Sequence, residues 1–307
     1  MKFWIGVTDN GWYDFLSELQ PEEVNFWQPS GKSVFRALKP GEPFLFKLHS
    51  PLNFIVGGGF FVKHSVIPIS LAWEAFDQKN GAYDFVAFRK KVMKYRGQNL
   101  GIEPDPLIGC IILTQPFFFP RDEWISVPEN WSSSIVQGKT YDIVNPIGKT
   151  LWDKVESIII NTNPKIESVF EDQARYGTEH IIRPRLGQGA FRVLVTDAYN
   201  RRCAITGERT LPVLESAHIK PFSVSGPHSI NNGLLLRSDL HKLLDLGYIT
   251  VTSDLNVEVS RRIKKEYENG REYYAFHGKK LLNLPINLMD RPCIKYIEWH
   301  NQNIYRP

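Results

Sequence analysis

The stretch "ESAHIKPFSVSGPHSINNGLLLRSDLHKLLDLG", residues 215–247, leaves the chain little choice of local fold. "VLESAHI" alternates as a strand does. It puts Leu214, Ser216 and His218 on one face and Val213, Glu215, Ala217 and Ile219 on the other. Pro221 ends the run, and "FSVSGPHSINN" has the Ser, Gly, Pro and Asn content of a loop. "GLLLRS" is short and apolar and suits a return strand. Ser238 is placed to cap a helix, "DLHKLLDL", which Gly247 stops. This strand, loop, strand and helix carry His218 and His241, 23 positions apart, with Asn232 between them.

Those residue types suggest chemistry. On the predicted helix His241 and Asp245 stand four apart and share a face. An imidazole and a carboxylate one turn apart make half a site for a divalent metal. A metal there would polarise a phosphate oxygen and stabilise a leaving alkoxide. A neutral strand-borne histidine would deprotonate the attacking water, an effect worth about 10²–10⁴-fold.

The segment resembles the HNH, or ββα-metal, nuclease motif. The resemblance implies that His218 is the general base, that Asn232 holds the loop and orients that base, and that His241 is a metal ligand. In some members a second ligand lies one turn later, which is Asp245 here. The spacings of 14 and then 9 residues fit the motif. "GQGAFRVLVTDAYNRRCAITGE" and the tail "EWHNQNIYRP" are similar to the flanks of HNH domains in bacterial restriction endonucleases, including modification-dependent ones. One position departs. The residue before the base usually supplies a ligand, and here it is Ala217. Glu215, on the same strand face, Asp239, at the helix start, or a water is expected to fill the gap. A divalent metal is the implied cofactor, Mg²⁺ or Mn²⁺, with other transition metals open. Arg201, Arg202, Arg237 and Lys242 flank the motif and are candidates to neutralise phosphates. Cys203 has no partner cysteine nearby and reads as a packing residue. His228 sits in the loop and reads as part of a turn.

The rest of the chain reads differently. "KFWIGVT", "PFLFKLHS", "NFIVGGGFFVKHSVIPIS" and "IGCIILTQPFFF" are β-type runs, and "WYDFLSEL" and "DFVAFRKKVMKYRG" have helical spacing. "TLWDKVESIII" and "PKIESVFEDQARYG" are helical too, and a further helix is expected from about Ala190 to Asn200. The lone "GQG" lacks phosphate-loop spacing and reads as a turn. These patterns predict an α+β chain with a first domain over 1–160, a helical linker over 161–184 and a second domain, carrying the HNH-like motif, over 185–307.

Residues 1–160 resemble PUA-like domains, the EVE and SRA-type readers among them. The likeness rests on the early Trp, the "FWQPSGK" turn, the "LKPGE" turn and "IVGGGFFV". It implies a curved β-sheet or barrel holding a pocket for a flipped base. The chain has 8 Trp, 12 Tyr and 19 Phe, more than a plain core needs. Trp27, Gln28, Ser30 and Lys32, grouped in one turn, are the candidate pocket, with Trp73 and Phe76 as further candidates. A pocket for a modified backbone group, such as a phosphorothioate, is open as well.

A net charge of +4 permits a nucleic-acid partner without demanding one. No apolar run reaches the roughly 18–20 residues of a membrane span. The expected protein is a prokaryotic, cytoplasmic, metal-dependent endonuclease that cuts modified double-stranded DNA, as a homodimer where both strands are cut. Two other readings stay open: a DNA-binding protein whose HNH domain is inactive, and an RNA-directed nuclease or binder.

Overall fold

The computed structural model describes residues 1–97, 103–162 and 186–307. Two compact units emerge, Met1–Gly187 and Gln188–Pro307. The linker expected over 161–184 lies, beyond Thr162, outside the described residues, and so does the helical reading of "PKIESVFEDQARYG".

The first unit is a mixed sheet with helices. Its elements are β1 (Lys2–Thr8), α1 (Asn10–Leu19), β2 (Glu23–Gln28), β3 (Pro43–Leu48), β4 (Phe54–Pro68), α2 (Ile69–Phe76), α3 (Phe85–Arg96), β5 (Leu107–Phe118), β6 (Ile125–Ser126), β7 (Gly138–Asp142) and α4 (Pro146–Thr162). The strands run in the order β2-β5-β4-β3-β1-β7, and β6 pairs with the start of β4. β1 and β3 are parallel; the other pairs are antiparallel. A parallel pair needs a crossover, here supplied by α1 and β2. Asp9 starts α1 by accepting a hydrogen bond from Trp12 N at 2.8 Å.

The sheet is covered on both faces, which is why β3 is buried along its whole length. Leu16 of α1 packs with Phe44, Phe46 and Val56 on one face. Trp152, Val155 and Ile159 of α4 pack with Phe3, Leu45 and Phe60 on the other. Bulges between Phe46 and Lys47, Gly58 and Phe60, and Phe61 and Lys63 bend the strands. The sheet does not close. β2 and β7 end the hydrogen-bonded path, so of the curved sheet or barrel implied by the PUA-like resemblance, the closed barrel is absent among the described residues.

The second unit contains α5 (Gln188–Ala198), β8 (Leu214–His218), β9 (Gly233–Arg237), α6 (Ser238–Asp245), β10 (Ile249–Val251), β11 (Val257–Val259), α7 (Arg262–Tyr267), α8 (Arg271–Tyr274) and α9 (Ile294–Asn303). β8 and β9 form an antiparallel hairpin, with Leu214 opposite Arg237 and His218 opposite Gly233. Phe191 and Val195 of α5, Leu234 to Leu236 of β9 and Leu240 and Leu244 of α6 share its core. Cys203 is fully buried there. Ser238 is the first residue of α6 rather than its cap; Arg237 takes the cap position with no side-chain bond to the helix. Gly247 follows with a φ of 75°, a conformation that suits glycine.

No described helix is long and apolar enough to cross a membrane.

Candidate active site

β8 ends on His218, and its alternation distributes the polar side chains. Ser216 points to α5, donating to Arg192 O at 3.0 Å. His218 follows it and stacks on Phe191 of α5, with centroids 3.9 Å apart and planes 12° apart. Glu215 faces the opposite way and meets His241 on α6, Oε2 to Nδ1, at 2.6 Å. Asp245, one turn along α6, lies 3.4 Å from His241 Nε2. The strand and the helical turn together place two carboxylates at the two nitrogens of one imidazole.

Asn232 is fully buried at the foot of β9. Its Oδ1 accepts from Lys220 N, and its Nδ2 donates to Lys220 O and Pro227 O, each at 2.9 Å. One side chain thus ties both ends of the loop between the strands.

His228 stands just past that tie. Its Nδ1 is 3.0 Å from His218 Nε2, and its ring stacks on Phe222 at 4.2 Å and 13°. Sequence reasoning allowed His228 to approach a phosphate but preferred a turn, and did not foresee its contact with His218. Nothing in a loop without period marks which residue will fold back. Burial, then the nearby His228 and His241, push His218 down from its ordinary value to about 4, so it is neutral at pH 7.

Glu215, His241 and Asp245 are brought together; Asp239 is not with them. Its carboxylate pairs with Arg237 through two bonds of 2.7 Å and accepts from Tyr273 at 3.3 Å. The Arg237 bonds hold the Asp239 carboxyl below the usual range. Ala217 is fully buried and offers no ligand. A carboxylate–imidazole–carboxylate set has the donor types a divalent ion accepts. Here the three are paired with one another, and among the described residues no group of three or more His, Cys, Asp or Glu side chains is arranged to hold a metal. Around the site Arg202 and Lys242 are exposed, while Arg201 pairs with Asp197 at 3.6 Å.

In the first unit the candidate pocket residues are spread over two kinds of structure. Trp27 and Gln28 lie on β2, not in a turn; Ser30 and Lys32 lie in the loop that follows. Trp27 Nε1 donates to Asn80 O at 3.0 Å, and its ring packs against Phe88 and Tyr95. Gln28 Oε1 is 3.2 Å from His64 Nε2. Ser30 Oγ accepts from Lys32 N. Trp73 packs against Phe85 and Phe88 on α3.

Residues 203–252 match an HNH endonuclease family, HNH_2. That span runs from the buried Cys203 through the hairpin and α6 into β10. Among solved structures the chain is similar to a modification-dependent TagI restriction endonuclease, at 13% identity over 98% of this chain and 81% of that one, with a TM-score of 0.29. No curated protein matches the chain.

Proposed function

We propose that the second unit hydrolyses DNA phosphodiester bonds, with His218 as general base. The observation that carries this reading is the site on the HNH-matched ββα segment: His218 kept neutral, Asn232 tying its loop, and His241 between Glu215 and Asp245. A neutral imidazole has a lone pair for a water proton. The water's proton goes to His218, the hydroxide's pair forms the new P–O bond, and the old P–O pair leaves with the alkoxide, which takes a proton from solvent. Glu215, His241 and Asp245 would have to turn from one another, out of their present pairing, to hold a divalent ion, Mg²⁺ or Mn²⁺. When bound, the ion supplies Lewis-acid stabilisation of the phosphate and the leaving oxygen. Lys242, Arg202, Arg201 and Arg237 would meet the backbone phosphates.

The first unit would choose the target, as a PUA-like reader that takes a modified base from duplex DNA. The aromatic residues around Trp27 and Trp73 support this, since a flipped base needs a ring to stack on. A restriction role in a prokaryotic cytoplasm follows from that pairing of reader and nuclease, and cutting both strands would take two copies.

Incubation of supercoiled plasmid with the full chain and Mg²⁺ or Mn²⁺ tests the nuclease reading. Nicking or linearisation is expected, and an intact plasmid under every metal would overturn it. Matched duplexes carrying cytosine, 5-methylcytosine, 5-hydroxymethylcytosine or phosphorothioate test the reader. Equal cutting of all four would remove it.

A second reading has its own observation. Ala217 leaves the position before His218 without a ligand, and the three remaining donors pair among themselves. A unit that grips DNA without cutting it would look the same. Ala217→Asp separates the two. A carboxylate at this buried position is costly unless an ion pairs with it. An active site short of one ligand should therefore need less Mg²⁺ after the change. A gripping unit should only lose stability.

A further inference from the structure

The contact between His218 and His228 is unlike a packing contact. Each imidazole lies flat on its own phenyl ring, His218 on Phe191 and His228 on Phe222. The two ring edges then meet through nitrogens, His218 Nε2 to His228 Nδ1, at 3.0 Å. At that distance one nitrogen carries the hydrogen and the other accepts it. His218 Nδ1 has no hydrogen-bond partner among the described residues.

These facts fix a chemical assignment. The nitrogen that takes a proton from water must be unprotonated. With Nε2 turned to His228, that nitrogen is Nδ1. Neutral His218 must then carry its hydrogen on Nε2, and His228 Nδ1 must accept it. We propose that His228 is the positioning residue of the site, which selects the Nε2–H tautomer of His218 and leaves Nδ1 facing the water. This rests on the nuclease reading of the same site.

The partner also strengthens as the reaction proceeds. Once Nδ1 gains the water's proton, His218 is an imidazolium, and its Nε2–H bond to His228 becomes charge-assisted. The arrangement does for His218 what a carboxylate does for the histidine of a hydrolase triad: it holds tautomer and orientation and does not itself take the proton. The loop places it there. Asn232 Nδ2 is bonded to Pro227 O, one residue before His228. The buried asparagine thus reaches the base through the second histidine.

Two substitutions take the contact apart. His228→Phe keeps a ring to stack on Phe222 and removes the acceptor. His228→Asn removes the ring stack and keeps an acceptor near the place of Nδ1. In the full chain, His228→Phe should lower kcat by about 10²-fold, toward the loss expected for the base itself, with KM for DNA unchanged. His228→Asn should restore most of that rate. Imidazole ¹⁵N–¹H correlation spectra give a readout independent of cutting. Wild-type His218 should show the Nε2–H tautomer, His228→Asn should keep it, and His228→Phe should lose the preference. Wild-type kcat in His228→Phe, equal loss in both variants, or an unchanged His218 tautomer in His228→Phe would each overturn the proposal. If the wild type cuts no DNA yet shows the tautomer shift, the nuclease reading fails and the positioning of His218 by His228 stands.

Discussion

The two units put their aromatic rings to different use. In the first, rings pack on rings. Phe26, Phe44 and Phe46 form one cluster, with Phe26 and Phe46 parallel and Phe44 tilted to both, and Trp12 meets Phe26 and Phe46 edge-on. Even Trp27 and Trp73 lie among Phe85, Phe88 and Tyr95. In the second unit two phenyl rings serve as plates for histidines. Polar groups follow the same division. Asn25 and Asn80 are buried against each other at 2.8 Å, and buried Glu23 pairs with Lys79 at 2.9 Å. Glu215, His241 and Asp245 pair at a partly open surface. A wide sheet can close its polar groups inside itself. A hairpin of two five-residue strands cannot, so Glu215 and its partners stay where a substrate reaches them.

The sharpest break of that contrast is His218→Ala. Cleavage should fall by about 10²–10⁴-fold, while DNA affinity, measured by fluorescence anisotropy at fixed salt, should change little. Wild-type cutting by this variant would show that His218 is not the base. Phe60→Ala strikes the first unit in the opposite sense. Phe60 is fully buried, and its removal should cost about 3–5 kcal/mol of stability, read as earlier urea unfolding. A fall in kcat with no loss of stability would contradict the division.

Trp27→Ala probes the boundary between the two uses. Stacking contributes roughly 1–3 kcal/mol per base. A reader should therefore lose its preference for modified duplex in competition binding, with residual binding that weakens steeply with salt. Lower stability with an unchanged preference would return Trp27 to packing. The smallest expected effect is on pH. His218 is pushed below its usual value to about 4, chiefly by burial, and burial lowers buried His300 as well. Between their ordinary value near 6.5 and their folded values, the unfolded chain holds protons that the folded chain does not. Stability from His218 is thus complete above about pH 6.5 and declines as the pH drops toward about 4, and that from His300 falls in the same direction. Hydrogen exchange by mass spectrometry should show peptides of the second unit losing protection across that window. Flat protection would mean that neither histidine is buried in solution.

The hairpin and α6 were legible in the sequence because their spacing is local. Alternation put Glu215 and His218 on opposite faces of β8, and a helical turn put His241 beside Asp245. The Glu215–His241 contact follows from these two rules together with the pairing of β8 and β9 and the immediate passage of β9 into α6. β2 was not legible as a strand beyond its turn signals. Its outward appearance is polar, with Glu23, Asn25 and Gln28, and these residues are buried or half-buried only because Lys79, Asn80 and His64 come to them from far along the chain. Its pairing partner, β5, begins at Leu107. Tertiary context decided the element, as it does for strands generally. His228 was missed for a related reason. Its partners Phe222 and His218 lie within ten positions, yet a loop has no period from which to read a contact.

The buried amide of Asn232 acts as a clasp. By fastening Lys220 to Pro227 it makes the residues between them a detachable ring on an otherwise fixed frame. The outer part of that ring, around the exposed Val224, can be rewritten or lengthened without shifting either histidine, as long as Phe222 keeps its place under His228. Chain length in such a ring is cheap, about 0.6 kcal/mol for each doubling. The same architecture therefore gives evolution, or an engineer, a socket beside the reactive groups in which new sequence can be trialled while the chemistry underneath stays as it is.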